Sequence, residues 1–79
     1  MITGTQIRAA RALLGWTSTE LAAVAGLSYA TIQRAESANG VPRMQAPSMS
    51  AIQIGLEQAG VQFIPADSES GEGVRLSKK

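Results

Sequence analysis

The sequence predicts a mainly α fold, a small bundle of four to five short helices followed by a short C-terminal β-hairpin or dimerising strand. Three observations support this prediction. Through residues 1–60, apolar residues recur three and four positions apart, the spacing of helices with one buried face. Hydroxyl residues and glycines stand where such helices would begin and end. Only residues 61–79 change to β-prone runs around an acidic, glycine-containing stretch.

Chain length and composition fit one small domain. The 79 residues allow a modest core, which dimerisation would help to stabilise. Hydrophobic residues make up 44% of the chain, which argues against a disordered protein. Cysteine and histidine are both absent from the sequence. Disulfides, thiolate or imidazole metal sites and a histidine general base are therefore excluded.

Other motifs that the sequence lacks bear on its activity and its location. The sequence has no phosphate-binding glycine loop and no metal-ligand cluster, and its serines lack a histidine base. We therefore expect no catalytic residue, no metal site and no cofactor, and we do not expect an enzyme. The chain starts without the basic and apolar regions of a signal peptide, and no segment approaches about 18 consecutive apolar residues. We expect a cytoplasmic protein without a membrane segment.

The first predicted helix covers Thr5 to Leu14, after an extended or disordered start at residues 1–4. Its apolar face carries Ile7, Ala10 and Leu14 at helical spacing. This face predicts packing against the helices that follow.

Two further predicted helices are joined by a tight turn. Thr17 and Glu20 have the spacing of a capping box, in which each side chain satisfies a free backbone N–H at a helix start. Gly26 stands where this helix ends, since glycine readily takes the left-handed conformation of a helix terminus. Ser28 is the N-cap of a second helix over Tyr29–Glu36. Two short helices joined by a three- or four-residue turn with glycine form a helix-turn-helix unit.

Apolar spacing assigns the inner and outer faces of these two helices. The residues expected to face inward are Leu21, Val24, Ala25, Ile32 and Ala35. The outward side of the second helix then carries Tyr29, Ala30, Gln33 and Arg34. Because an α-helix fits the major groove of B-DNA, this second helix is the candidate recognition helix.

A loop and one more helix complete the helical part. Residues 37–47 contain two prolines and an Asn-Gly pair, which are loop signals. The following helix, over Ser48–Ala59, has an apolar stripe that would close the core, formed by Met49, Ile52, Leu56 and Ala59. Gly55 inside it indicates close helix packing, within the core or across a dimer interface.

The tail predicts two short strands. Residues 61–64 and 74–76 are β-prone and are separated by an acidic loop, so they can pair as a hairpin. Because a lone hairpin is marginal in water, it must pack on its own helices or pair with the same tail of a second subunit. We divide the chain into a helix-turn-helix DNA-binding domain at residues 1–60 and a β extension at residues 61–79, a candidate dimerising element with a frayed end.

The helical part resembles the Cro/repressor type of helix-turn-helix DNA-binding protein, the XRE family, over about residues 6–61. The matching pieces are Glu20-Leu21-Ala22, Ala25-Gly26-Leu27-Ser28, Ile32 followed four residues later by Glu36, and Arg11 in the preceding helix. This resemblance implies a repressor-like helical bundle. One departure is Ser18, where the family often has a glutamine that contacts a phosphate and braces the first recognition side chain. Serine can keep the phosphate contact, but its side chain is short for the brace.

The resemblance also assigns roles to single residues. Tyr29, Ala30 and Arg34 occupy the usual base-reading positions. Arg34 is the strongest candidate, because its planar fork can bond guanine O6 and N7 together. Arg11 and Glu36 occupy positions that form an ion pair in the family, so we assign both to structure.

Contacts to the DNA backbone are expected around the recognition side chains. The first motif helix would bring the partial positive charge of its N-terminus to a phosphate. The loop after the recognition helix would follow the DNA backbone. The candidates for these contacts are Thr17, Ser18, Ser28, Thr31, Gln33, Asn39 and Arg43.

Two functions remain open at this point. The resemblance implies a sequence-specific transcriptional regulator, a dimeric repressor of double-stranded DNA that reads an inverted repeat. We expect a homodimer, since a single domain makes few contacts with DNA. Leu13 lies off the apolar face of the first helix, and its side chain is either exposed to solvent without a role or part of a subunit contact. The net charge of only +1 leaves room for an alternative, a helix-turn-helix module that binds a protein partner, as an antiactivator or antitoxin does.

Overall fold

Four helices and a two-stranded sheet form the chain, of which a computed structural model describes residues 1–78. The elements are α1 Gly4–Leu14, α2 Ser18–Ala25, α3 Tyr29–Ser37, α4 Ala46–Gln58, β1 Val61–Ile64 and β2 Gly73–Leu76. The prediction of a mainly α bundle with a C-terminal β-hairpin is confirmed. The predicted frayed end includes Lys79, which lies outside the described residues. None of the helices within residues 1–78 has the length and apolarity that crossing a lipid bilayer requires.

The start of the first helix corrects one prediction, because Gly4 belongs to the helix and not to the extended or disordered start; Thr3, just before it, is extended as predicted. Helix α1 begins at Gly4, and Thr3 and Gln6 form a capping box at its start. Ile2 is only 5% exposed and belongs to the core. The Gly4 N–H donates to the carbonyl of Gly40 at 3.0 Å. Glycine is a poor helix former, and here tertiary contacts override its low propensity.

One core joins the four helices. Its fully buried large side chains are Ile7, Leu21, Ile32, Ile52 and Leu56. Each of them stabilises the fold by about 1.5–3 kcal/mol relative to an exposed side chain. Val61 is also buried and extends this core to the hairpin.

Val24 corrects the predicted inner face of α2. Its side chain is 51% exposed, and Ala22 is buried beside Leu21 instead. Val24 nevertheless touches α4, since a Cβ added at Gly55 would stand 2.9 Å from its Cγ1 atom. The glycine therefore permits close packing of α4 on α2 within one chain.

Helix α4 begins earlier than predicted, at Ala46 instead of Ser48. Pro47, predicted as a loop residue, lies in the first turn, where its missing N–H costs no intrahelical hydrogen bond. The buried residues of the helix are Met49, Ile52, Gly55 and Leu56. Ala59 is exposed beyond the helix end and is not part of the buried stripe, which is a further correction.

The tail forms a hairpin on its own helices. Strands β1 and β2 pair antiparallel, in a register that runs from Val61 opposite Leu76 to Ile64 opposite Gly73. The hairpin packs against α1 and α4. The buried side chain of Gln6 joins it to α1, because Nε2 donates to the carbonyls of Ile64 at 3.3 Å and Gly73 at 2.9 Å. Within the chain, the tail thus lies on its own helices.

Candidate nucleic-acid interface

Short-range sequence signals fix the starts of α2 and α3 and the turn between them. Thr17 Oγ1 accepts the Glu20 N–H at 3.1 Å, and the Glu20 carboxylate accepts the Thr17 N–H at 2.7 Å. Gly26 ends α2 at φ 69°, a left-handed conformation that strains a residue with a Cβ. Ser28 then caps α3 by accepting the Thr31 N–H at 3.1 Å. These caps fix a short turn between the two helices.

Helix α3 turns one polar face outward. Its buried residues are Ile32, Ala35 and Glu36. The exposed residues on the other side include Tyr29, Ala30, Gln33 and Arg34. They offer a phenol, a methyl group, an amide and a guanidinium, and this face of α3 has no carboxylate. Such a donor-rich helix surface matches the acceptors and methyl groups at the edges of base pairs.

Arg34 and Arg43 line the same cleft. It measures about 270 Å³ and lies between α3, the loop that follows and the start of α4. Thr31 also lines it, and Arg34 Nη2 donates to Thr31 Oγ1 at 3.3 Å. The cleft thus brings one predicted base-reading residue together with two predicted backbone-contact residues. Asn39 is exposed in the bend after α3, outside this cleft.

Ser18 and Gln33 form a hydrogen bond between the two motif helices. Gln33 Nε2, on α3, donates to Ser18 Oγ, at the first residue of α2, over 3.0 Å. Sequence reasoning treated these residues as separate backbone contacts and did not foresee their pairing. The sequence indicates this hydrogen bond only indirectly, since positions 18 and 33 meet only when the two helices have docked.

Other predicted contact residues also serve the helix ends. Besides the caps at Thr17 and Ser28, the hydroxyls of Ser28 and Thr31 lie 2.8 Å apart and share a hydrogen bond. Thr17 and Ser28 are exposed, so their hydroxyls stay accessible to solvent. Their capping role does not depend on any ligand.

Arg11 and Glu36 hold α1 to the end of α3. Arg11 Nε lies 2.8 Å from Glu36 Oε2, and Nη2 lies 3.2 Å from Oε1. A third bond runs from Arg11 Nη1 to the carbonyl of Trp16 at 2.9 Å. Arg8, one turn earlier on α1, donates to the backbone carbonyl of Glu36, a contact that sequence reasoning missed. The sequence could have predicted this contact, because Arg8 and Arg11 are three residues apart and therefore share a face of α1.

Charge is distributed unevenly over the chain. Within residues 1–78 the Arg11–Glu36 pair is the one ion pair, so Arg34 and Arg43 keep an unneutralised charge beside the α3 face. The acidic residues of the tail lie in the hairpin loop, where the N–H groups of Glu69 and Ser70 lower the pKa of the Asp67 carboxyl. No cluster suited to a metal ion occurs among the described residues.

A helix-turn-helix family model matches residues 7–46, about half of the chain, from within α1 to the start of α4. No curated protein matches the chain. The matched stretch contains the capped turn, the exposed α3 face and the Arg11–Glu36 pair described above. The family is one of DNA-binding transcription regulators. The chain therefore belongs to the helix-turn-helix proteins of the Cro/repressor type, the XRE family.

Proposed function

We propose that this protein is a sequence-specific transcriptional regulator, a dimeric repressor that inserts α3 into the major groove of an inverted-repeat operator. The observation that carries the proposal is the outer face of α3, which is exposed, free of carboxylates, carries Arg34 and is flanked by Arg43. The caps at Thr17 and Ser28 hold this face in place before DNA arrives. Binding therefore needs little reorganisation of the protein.

The base contacts come from the first two turns of α3. Arg34 bonds a guanine through O6 and N7, which accounts for most of the discrimination at one base pair. Tyr29 is 55% exposed at the first residue of α3 and contacts a thymine methyl or a phosphate. Ala30 offers only an apolar contact to a thymine methyl.

The backbone contacts surround this face. Arg43 binds a phosphate from the far side of the cleft that it shares with Arg34, and Thr31 lines the same cleft. Asn39 contributes from the loop after α3. The N-terminal ends of α2 and α3, at Thr17 and Ser28, approach further phosphates with their free N–H groups.

A single copy of this surface reads only a few base pairs, so we propose a homodimer. Its two recognition helices bind half-sites about one helical turn apart. Residues 1–60 form the DNA-binding domain, and residues 61–79 form its β extension. Occupancy of a promoter is enough for repression, and this role places the protein in the cytoplasm with the DNA.

Selection of bound duplexes from a random DNA pool tests the proposal. The wild-type protein, Arg34→Ala and the control Arg75→Ala are compared at low salt. Arg75 is a suitable control, because it is an exposed arginine on the hairpin that bonds Gln62. We expect an enriched inverted repeat for the wild type and the control, and an altered or lost preference at one base pair per half-site for Arg34→Ala.

Other outcomes decide against parts of the proposal. If folded wild-type protein enriches no duplex, DNA reading is wrong, and the helix-turn-helix then serves a protein partner. If the enriched site is a single half-site bound by one copy, the homodimer is wrong. If Arg34→Ala weakens binding to all sequences equally, Arg34 contacts a phosphate and not a base.

A further inference from the structure

The first residue of α1 lies against the loop that follows α3. Gly4 is buried, and its N–H donates to the carbonyl of Gly40 at 3.0 Å. A Cβ atom added at Gly4 would stand within 3.0 Å of the carbonyl oxygens of Ala35 and Ala38, a separation that side-chain carbons do not tolerate. Gly4 is not one of the glycines with a positive φ. The close approach of two backbones, and not an unusual conformation, therefore requires glycine here.

This contact is the main anchor of the loop. Residues 39–44 make no other backbone–backbone hydrogen bond within the described part of the chain. The buried side chain in this stretch is that of Pro42. A segment with so few contacts opens easily, so its position depends on the few that it has. Ala38 and Gly40, which both lie against Gly4, stand on either side of Asn39.

One face of α1 holds both the end of α3 and its loop. Arg8 and Arg11 follow Gly4 by four and seven residues, which is the spacing of one helix face. Both arginines bind Glu36 in the last turn of α3. Gly4 extends this face past the end of α3 to the loop. Because the core and these arginines hold α3, an atom added at Gly4 would displace the loop before the helix.

The loop carries two of the proposed contacts to the DNA backbone. Asn39 directly precedes Gly40, and Arg43 follows it by three residues and lines the cleft beside α3. Non-bonded atoms keep about 3.5 Å apart, so a side chain at Gly4 would move the loop backbone by roughly an ångström. A hydrogen bond to a phosphate oxygen weakens over such a displacement, since its donor and acceptor must stay about 3 Å apart.

We propose that Gly4 is a positioning residue for DNA binding, whose missing side chain lets the loop dock on α1 and so places Asn39 and Arg43 against the DNA backbone. The inference rests on the proposed DNA-binding function and deepens it. It gives α1, which carries no candidate DNA contact of its own, a part in phosphate recognition.

The experiment compares Gly4→Ala with a variant at the other end of the same hydrogen bond. Gly40→Ala is the matched control, because Gly40 is exposed, has no positive φ and has open space where a Cβ would stand. Both substitutions are also made in an Asn39→Ala/Arg43→Ala background, which lacks the two loop contacts. Affinity for the operator found by duplex selection is measured at several salt concentrations, at a temperature where urea denaturation shows the variants to be folded.

Two further measurements decide the question if Gly4→Ala does not fold. The first is hydrogen exchange of the Gly4 amide in the wild type. An amide at the first position of a helix has no intrahelical partner, so its protection reports the bond to the loop. The second uses Thr3→Ala, which removes the N-cap hydrogen bond from the same turn without adding an atom. This variant loosens the contact of Gly4 with the loop.

We expect a protected Gly4 amide in the wild type. Gly4→Ala should weaken operator binding by about tenfold, the strength of a hydrogen bond to a charged group, and lower the slope of log affinity against log salt by about one. Thr3→Ala should change both quantities in the same direction, but less. In the Asn39→Ala/Arg43→Ala background, Gly4→Ala should change affinity by less than about twofold, since no loop contact is left to lose. Gly40→Ala should behave as wild type.

Four results would overturn the inference. A Gly4 amide that exchanges freely would show that the loop is not anchored on α1. An unchanged salt slope in folded Gly4→Ala, or in Thr3→Ala, would make the contact purely structural. An undiminished effect in the background without loop contacts, or a relaxed base preference, would show that Gly4 acts on α3 instead. Wild-type protein that binds no duplex would refute the proposed function, while a protected Gly4 amide would still show the docked loop.

Discussion

Arg11 and Glu36 are joined at two points, through Nε to Oε2 at 2.8 Å and through Nη2 to Oε1 at 3.2 Å. The glutamate side chain is 6% exposed, and the arginine side chain is 25% exposed. The pair connects α1 to the last turn of α3, the helix that carries the candidate base-reading residues. It therefore links the stability of the bundle to the placement of the recognition helix.

Removal of Arg11 should destabilise the protein strongly. Arg11→Met leaves the buried Glu36 carboxylate without its partner, and we expect a loss of about 3 kcal/mol in the free energy of unfolding. Urea denaturation followed by circular dichroism measures this loss. The control Arg75→Met removes an exposed arginine and should change stability by less than about 0.5 kcal/mol. Equal effects of the two substitutions would mean that the pair contributes no more than a surface contact.

Arg8 should matter less than Arg11, although both face the end of α3. Arg8 is exposed and donates to the backbone carbonyl of Glu36. Arg8→Met removes this one hydrogen bond and leaves the Arg11–Glu36 ion pair in place, so we expect a loss of about 1 kcal/mol in the same measurement. A loss as large as that of Arg11→Met would make Arg8 the main tie between α1 and α3.

Arg34 and Arg43 should differ in their effect on DNA binding, although they share one cleft. Arg43→Ala should weaken binding to all sequences and lower the slope of log affinity against log salt by about one, as expected for a lost phosphate contact. Arg34→Ala should cost about 1–3 kcal/mol on the operator and relax the preference at one base pair. Fluorescence anisotropy titrations at several salt concentrations, on operator and mutated duplexes, separate the two. If Arg34→Ala weakened binding to all sequences and Arg43→Ala relaxed the preference at one base pair, the assigned roles would be reversed.

Gln6 should hold the hairpin on the helices. Its side chain donates to two hairpin carbonyls and accepts the Thr3 N–H at 2.9 Å, so Gln6→Met removes three hydrogen bonds. We expect a loss of about 2 kcal/mol in the free energy of unfolding, since buried polar groups lose their partner. Hydrogen exchange should also become faster at the amides of β1 and β2. Gln58→Met is the control, and unchanged exchange in the hairpin would contradict this role.

Asp67 should titrate below the ordinary aspartate value of 3.8. The N–H groups of Glu69 and Ser70 donate to its Oδ1 atom and favour the charged form, which lowers the pKa of this carboxyl. The turn it organises is therefore fully formed above about pH 4 and is lost as the pH falls through the lowered pKa. An NMR titration of the carboxyl carbon and of the two amides measures the midpoint. A midpoint at or above 3.8 would mean that these hydrogen bonds do not persist in solution.

Local signals in the sequence predicted most of the helical unit. The Thr17–Glu20 capping box, Gly26 and the Ser28 cap depend on residues within four positions of each other, so their structure follows from near neighbours. The same holds for the outer face of α3, which helical periodicity alone assigns. These positions define the candidate base-reading surface without any tertiary information.

Sequence patterns predicted the inner face of α2 and the start of α1 less reliably. Val24 was expected inward, but α2 turns Leu21 and Ala22 into the core and leaves Val24 at the edge against Gly55. The start of α1 at Gly4 depends on a hydrogen bond to Gly40, far along the chain. The helix propensity of glycine gives no information about a hydrogen-bond partner so distant in the sequence.

The sequence by itself determined the four helices to within two residues of their starts, the caps of α2 and α3, the turn between them and the outward residues of α3, because each depends on contacts within a turn or two. Only the tertiary structure decided which polar groups meet across the fold. Gln33 reaches Ser18 over a separation of 15 residues, Arg8 reaches the Glu36 carbonyl over 28, and Gln6 reaches Gly73 over 67. Such pairs form only after the apolar faces have docked, since burial of those faces fixes the orientation of the helices and brings distant side chains together.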